Sequence, residues 1–305
     1  MKRPLLRARF EGSLLGLALG DALGAPYESG PVERFVWMLM GRTLQGKRRW
    51  TDDTQMSLDL AESLIEKGRL DLDDLAPRFA RGYRWSRGYG PGAARLLKRI
   101  ARGAHWQQVN RSIYPEGSFG NGGAMRAPVI GLFFADNLEE LVTAARASAF
   151  VTHAHPLGME GAVIVAVATA LALRDSPPID WLRAAAAHSE LDPFTTRLRV
   201  ATSWLQDGAD PDPAKVTAFL GNGIAAAESC VTALYLAARF ANHPFEDLLS
   251  FIARAGGDAD TIGAMAGGVW GAARGVESLP VDGLSVLEQR ERIQEVAGAL
   301  FAAAG

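Results

Sequence analysis

The chain has 305 residues, 48% of them hydrophobic, enough for a sizeable buried core in one large domain or two ordinary ones. Its 32 basic and 34 acidic residues give a formal net charge of -2, which excludes the protein-wide positive field that draws proteins onto nucleic acid or anionic membranes. A single cysteine, Cys230, excludes an intrachain disulfide, a cysteine zinc site and an iron–sulfur cluster, and it predicts a reducing, cytoplasmic setting.

The chain opens Met1-Lys2-Arg3-Pro4, and Arg7, Arg9 and Glu11 interrupt what would have to be the apolar core of a signal peptide, so export is not expected. Leu14, Leu15, Ala18 and Ala22 share one helical face. Gly12, Gly16, Gly20 and Gly24 lie four apart on one face as well, a spacing that predicts close approach to another helix backbone. The same spacing occurs in membrane helix dimers, but the flanking Glu11 and Asp21 favour tight packing in a soluble protein. Gly24-Ala25-Pro26 ends this helix, and Glu28 follows in the turn.

Trp50-Thr51-Asp52-Asp53-Thr54 precedes an amphipathic run over residues 55–65, in which Met56, Leu60 and Leu64 share a face. The hydroxyl and carboxylates therefore fall at a helix N-terminus, where Thr and Asp also serve as ordinary caps. After a second break at Gly88-Tyr89-Gly90-Pro91-Gly92 comes Gly117-Ser118-Phe119-Gly120-Asn121-Gly122-Gly123-Ala124-Met125-Arg126, leading into an apolar helix expected from about Ala124. Its unhindered backbone N–H groups suit a diphosphate, and a tight turn is the plainer use of the same residues. It lacks the Gly-Lys-Ser/Thr ending of a P-loop, and no strand precedes it to support a Rossmann unit.

Thr152-His153-Ala154-His155-Pro156 stands at the mouth of an apolar helix, and one histidine contacting substrate fits better than two holding zinc. The apolar run at residues 161–173 falls short of the roughly 20 residues of a spanning helix and reads as a core helix, so no membrane association is expected. A second Gly-Asn-Gly occupies residues 221–223, ahead of a helix on which Val231, Leu234, Tyr235 and Ala238 share a face and Cys230 reads as an inert core thiol. A helix over 245–255 ends at Gly256-Gly257, and Asp258-Ala259-Asp260-Thr261 begins the next.

Two distant segments thus each supply two carboxylates and a threonine, all oxygen donors, which suit the hard cations Mg²⁺ or Mn²⁺. If the segments converge, four carboxylates repel one another and two divalent ions offset that charge. With helical periodicity throughout and no convincing strand, the expectation is one all-α domain over 1–305.

In their order along the chain, the motifs at residues 12–28, 50–54, 88–92, 117–126, 152–153, 221–229 and 256–275 resemble those of the ADP-ribosylglycohydrolase family. The resemblance implies a compact orthogonal helical bundle with a central dinuclear metal cleft. It makes Thr51, Asp52, Asp53, Asp258, Asp260 and Thr261 ligands of two Mg²⁺ or Mn²⁺ ions. It assigns Gly117, Ser118, Phe119, Gly120, Asn121 and Gly122 to the diphosphate and its proximal ribose, His153 to the sugar, and Ile224 to the adenosine. Glu28 matches a glutamate that relatives carry on a mobile flap, and either Glu28 or Asp53 would handle the proton.

The implied reaction is hydrolysis of the glycosidic bond between ADP-ribose and an acceptor, so the partner is an ADP-ribosylated protein or another ADP-ribose conjugate, with no general nucleic-acid binding. Residues 117–126 and 220–224 look most like the branch acting on O-linked ADP-ribose, on serine or in poly(ADP-ribose). An ADP-ribosyl-arginine hydrolase is the alternative enzyme, a metal-dependent phosphohydrolase attacking the diphosphate is another, and a non-catalytic ADP-ribose-binding protein is the alternative outside catalysis. The intact set Asp52, Asp53, Asp258 and Asp260 speaks against that last reading.

Overall fold

A helix with glycine at every fourth position presents a bare strip of backbone, and a second such helix can lie directly against it. The computed structural model describes residues 6–27, 35, 37 and 40–304; Glu28 lies outside them. In chain order its α-helices are α1 (Arg7–Gly24), α2 (Asp52–Lys67), α3 (Leu72–Gly82), α4 (Pro91–Ala101), α5 (Trp106–Val109), α6 (Ala127–Phe133), α7 (Leu138–Phe150) and α8 (Pro156–Leu173). They continue with α9 (Pro178–Ala187), α10 (Asp192–Gln206), α11 (Pro213–Leu220), α12 (Ala226–Arg239), α13 (Phe245–Ala255), α14 (Ala259–Arg274), α15 (Val281–Val286) and α16 (Arg290–Ala304). Among the described residues there is no β-strand, only isolated bridges such as Gly120 to Ala225. The fold is all-α.

The glycine strip of α1 meets its counterpart on α14. A methyl group built on Gly12, Gly16, Gly20 or Gly24 would come within 2.5, 2.4, 2.0 or 2.4 Å of the carbonyl oxygens of Gly271, Gly267, Gly263 and Ala259. The order of the pairs shows that the helices run antiparallel. The clash is reciprocal: a methyl on Gly263, Gly267 or Gly271 would strike the oxygen of Gly20, Gly16 or Gly12. Ser13 Oγ adds a hydrogen bond of 2.8 Å to Gly268 O across the same contact.

Helix α8 runs through the core, packed by α6, α7, α9, α12 and α14. By length and composition alone it is apolar enough to cross a membrane, but 78% of it is buried inside the protein. The start of α8 is capped by His155, whose Nδ1 accepts from the Leu157 amide at 3.1 Å. Residues 121–123 form a 3-10 turn, so the helix expected from about Ala124 begins at Ala127.

Replacing Gly20 with alanine should destabilise the fold by about 3 kcal/mol or more, because the two backbones must separate to admit the methyl group. The control is Gly90→Ala, where the added methyl meets no atom within 4 Å. Thermal or denaturant unfolding of the two variants checks this, and near-equal stability would show that α1 and α14 can shift apart at little cost.

Candidate active site

Asp21 sits in the last turn of α1 with no exposure, and α2 begins directly against it. Its carboxylate accepts from the Thr51 amide at 2.9 and 3.0 Å, the Thr54 amide at 3.1 Å and Thr54 Oγ1 at 2.5 Å. Thr51 Oγ1 accepts from the Asp53 amide at 3.2 Å. Between them, Asp21 and Thr51 satisfy the open amides at the start of α2. Asp52 and Asp53 are thereby released from capping, and both line a cavity.

The preceding residue is held as firmly. Trp50 is fully buried, its amide donates to Glu288 Oε1 at 2.9 Å, and the Arg87 guanidinium lies 3.6 Å from its ring centroid. Arg87 also donates to Trp50 O at 2.6 Å and pairs with Glu288.

The second acidic pair enters from α14. Gly257 has φ +75°, and a methyl there would stand 2.1 Å from Asn222 O, so only glycine allows this approach. Asn222 O accepts from the Asp258 amide at 2.8 Å, and Asn222 Nδ2 donates to Ala255 O at 3.0 Å. Asp258 occupies the N-cap position without capping through its side chain; its carboxylate takes a hydrogen bond from Asn121 Nδ2. Asp260 Oδ1 accepts from the Thr261 amide at 2.8 Å, and Thr261 Oγ1 approaches Asp53 Oδ1 at 3.5 Å.

Asp52, Asp53, Asp258, Asp260 and Thr261 share the wall of one cavity of about 230 Å³. Among the described residues no three acidic or imidazole groups close on a single point, since Asp258 and Asp260 turn to Asn121 and the Thr261 amide. Their fields nonetheless overlap. Burial first, then Asp260, Asp21, Asp52 and Asp258, hold the Asp53 carboxyl well above the usual carboxylate range, and Asp53 Oδ2 is buried with no hydrogen-bond partner. Burial pushes Asp21 up to about 6 against the pull of the Thr54 and Thr51 donors, and it raises Asp258 against Asn121, Thr261 and Asp260.

Ser118, Gly120, Asn121, Gly122, His153 and Ile224 form the facing wall. The two glycine loops are zipped together: Asn121 N donates to Ile224 O and Ala226 N to Phe119 O, each at 3.0 Å. Three expected site residues do not line the cavity. Thr51 lies beneath it as the helix cap. Gly117 (φ +85°) packs under the loop, where a methyl would meet the His155 amide nitrogen at 2.3 Å. Phe119 stands outside, edge-on to His155 and 54% exposed.

Arg126, not singled out from the sequence, is buried beneath the loop. It donates to Gly122 O, to Ser148 O at 2.8 Å and to Thr152 Oγ1 at 2.9 Å. Thr152 Oγ1 in turn stands 2.8 Å from His153 Nδ1. Arg126 only donates, so Thr152 Oγ1 accepts from it, and the Thr152 hydroxyl proton is then available to His153 Nδ1. On this network we assign the ring proton to Nε2. Gly122 packs against that ring, where a methyl would lie 2.5 Å from Cε1 and 2.8 Å from Nε2. Burial, and then the Arg126 charge, push the His153 imidazole down to about 3.

Comparison with known proteins matches residues 2–305 to the model of the ADP-ribosylglycohydrolase family. The chain is similar to the mouse protein named ADP-ribosylhydrolase ARH3, with 34% identity over 90% of this chain and 85% of the relative. It is also similar to the Rhodospirillum rubrum protein named ADP-ribosyl-[dinitrogen reductase] glycohydrolase, with 30% identity over 100% of this chain and 99% of the relative. A solved structure titled ADP-ribosylglycohydrolase-related protein complex superposes with a TM-score of 0.70 at 28% identity, covering 98% of this chain and 99% of the other.

The hydrogen-bond chain predicts that His153 stays neutral, with its proton on Nε2, from pH 8 down to about pH 4.5, where an ordinary histidine is charged. Nitrogen-15 shifts of the imidazole ring read both tautomer and charge. A ring titrating near 6.5 would overturn the assignment.

Proposed function

The chain belongs to the ADP-ribosylglycohydrolase family, and from that premise we propose that it releases ADP-ribose from an oxygen-linked acceptor, serine or poly(ADP-ribose), with two Mg²⁺ or Mn²⁺ ions bound in the cavity. Family membership makes the chain an ADP-ribosylglycohydrolase. The observation that carries the finer reading is the opposition, across one cavity, of four carboxylates on two helix starts and a glycine loop on the other wall.

The donor set fits divalent cations. Asp52, Asp53, Asp258 and Asp260, with the hydroxyl of Thr261, offer only hard oxygen atoms to the cavity, and Asp53 Oδ2 is buried without a partner. Burial first, and then repulsion by the neighbouring carboxylates, raises the Asp53 pKa, and a bound cation would oppose both. When bound, such ions polarise a water and orient the ribose hydroxyls as C1 of the ribose develops oxocarbenium character.

The chain's own groups divide the remaining work. Ser118, Gly120, Asn121 and Gly122 hold the diphosphate and proximal ribose, with Arg126 fixing the loop through Gly122 O. His153 presents Nε2–H to a sugar hydroxyl as a neutral donor, so it adds no positive charge beside the developing cation. Ile224, 68% exposed at the rim, flanks the adenosine. Asp53, or Glu28 as the other carboxylate that the resemblance offers, takes the proton from the attacking water. The same proposal sets the enzyme in the cytoplasm, where its buried thiol Cys230 needs no partner.

Given Mg²⁺ and ADP-ribose conjugated to serine or to arginine, the protein should release free ADP-ribose from the serine conjugate at least about tenfold faster, a barrier difference of roughly 1.4 kcal/mol. Chromatography of the products decides the chemistry: AMP would mean cleavage of the diphosphate and would overturn the glycosidic reading. A faster arginine conjugate would overturn the oxygen linkage alone.

Calorimetry should show two divalent-cation sites, with Asp258→Asn weakening Mg²⁺ at least about tenfold while circular dichroism stays helical. No heat of binding for Mg²⁺ or Mn²⁺ in the parent protein would sink the metal assignment.

A further inference from the structure

The net charge of -2 conceals a strongly uneven distribution. Between residues 75 and 115 there are nine arginines and lysines and no aspartate or glutamate. Arg78 pairs with Glu66 and Asp74, and Arg87 with Glu288. The other seven are exposed, and no carboxylate among the described residues pairs with them. The nearest acids in sequence stand at the margins: Asp73 is engaged by Trp106 Nε1 at 2.9 Å, and Glu116 lies beyond Tyr114.

Helix α4 joins this charge to the active site. Its inner stripe carries Ala93 and Leu96, which line the cavity, and the buried Leu97 and Ile100. The outer stripe carries Arg95, Lys98, Arg99 and Arg102, three or four positions apart and all exposed. Neighbouring segments extend the surface. Lys98 Nζ lies 5.5 Å from the centroid of the Tyr83 ring, Arg84 Nη1 donates to Arg81 O and Tyr83 O at 2.8 Å, and Arg99 Nη1 donates to Ser112 Oγ at 2.6 Å. Trp85, next to Arg84, is 76% exposed.

This surface borders the end of the cavity where an acceptor must leave. The adenosine end is at Ile224, and the bond to be cut lies by Asp52 and Asp53. A methyl built on Gly88 would stand 3.7 Å from Asp52 Oδ1, so residues 88–92 form the rim on that side. Trp85 and Arg84 precede this rim by a few residues, and α4 starts from it.

We propose that the outer surface of α4 and of the segment joining it to α3, with Arg84, Trp85, Arg95, Lys98 and Arg102, docks a further class of substrate beside the serine and poly(ADP-ribose) conjugates, one whose acceptor is a single-stranded nucleic acid. The proposal rests on the glycohydrolase reading of the cavity, which identifies its acceptor end. Six of the seven free cations are arginines, whose planar forks match phosphate and stack on rings, and an exposed tryptophan among them offers a base a stacking partner. An acidic peptide would use the charge and leave Trp85 without a role. The affinity is local, so it is compatible with the absence of a protein-wide positive field.

The test uses the full chain and fluorescently labelled oligo(dT) of about 12 nucleotides, a length within the site size of a single-strand groove. Anisotropy should show binding that weakens with salt. The triple variant Arg95→Glu/Lys98→Glu/Arg102→Glu should lose at least tenfold in affinity and reduce the log–log salt slope by about 2, three phosphate contacts at roughly 0.7 each. Trp85→Ala should weaken binding about tenfold with the slope unchanged. Both variants should hydrolyse an ADP-ribosyl-serine peptide at the parent rate, which verifies folding and tests the glycohydrolase reading separately. No oligonucleotide binding by the parent, or hexaglutamate competing as well as the oligonucleotide, overturns the proposal. Unchanged affinity in both variants overturns the placement on this face.

Discussion

The backbone contact between α1 and α14 is the constraint on which the rest of the structure depends. Four glycines on α1 and three on α14 bring the two backbones so close that carbonyl oxygens stand where side chains would begin. Each glycine within a helix costs roughly 0.5–1 kcal/mol relative to alanine, so the contact is retained against a helical penalty. Its effect is positional. The antiparallel pairing places the last turn of α1, with Asp21, beside the first turn of α14, with Asp258 and Asp260. Because Asp21 anchors the start of α2, the same contact brings Asp52 and Asp53 to that corner. Helices far apart in the chain are thereby registered by one strip of missing side chains.

Capping then decides which carboxylates face the cavity. An aspartate at a helix start normally satisfies the open amides. Here Asp21 and Thr51 do so for α2, and at α14 Asn222 O receives the Asp258 amide while Asn121 holds the Asp258 carboxylate. The arrangement carries an electrostatic cost. Asp21 has a folded pKa of about 6 against an ordinary 3.8, so the native state binds its proton more tightly than the unfolded chain does. Stability is therefore lost as pH rises between those values. Asp53 and Asp258 act in the same direction. Under the proposed dinuclear-metal reading, cation binding would offset this cost and so be coupled to folding.

Much of this was legible in the sequence wherever the signal was local. The helix starts at Asp52 and after Asp258, the end of the helix at Ala255, and the glycine face of α1 all follow from caps, breakers and period. The loops at residues 117–123 and 221–226 were recognisable as special, though their mutual hydrogen bonds were not. Asp21 was overlooked because an acid within a helix ordinarily points to solvent, and its partners lie 30 and 33 residues away. Gly263, Gly267, Gly271 and Gly275 repeat the spacing of α1 and would have named its partner, had the two strips been compared. Arg126 carried a signal too: a lone cation opening the apolar run Ala127–Phe133 has no solvent face to occupy and must find partners inside.

The cavity's two ends are built from different materials. On the wall proposed to hold the nucleotide, glycine loops are fixed by buried hydrogen bonds from Arg126 and Asn121, so their shape is set by the fold. On the side proposed for the acceptor, the rim is the start of α4, an amphipathic helix whose inner face belongs to the cavity and whose outer face belongs to the surface. Changes at Arg95, Lys98 or Arg102 alter the surface without touching Leu96, Leu97 or Ile100, because the two stripes of a helix vary independently. A carboxylate cluster held by the fold can therefore be combined with a freely varied outer face. Under the proposed reading, selectivity among acceptors follows from charge on that face, and cleavage of the ribose bond from the buried corner where α1, α2 and α14 meet.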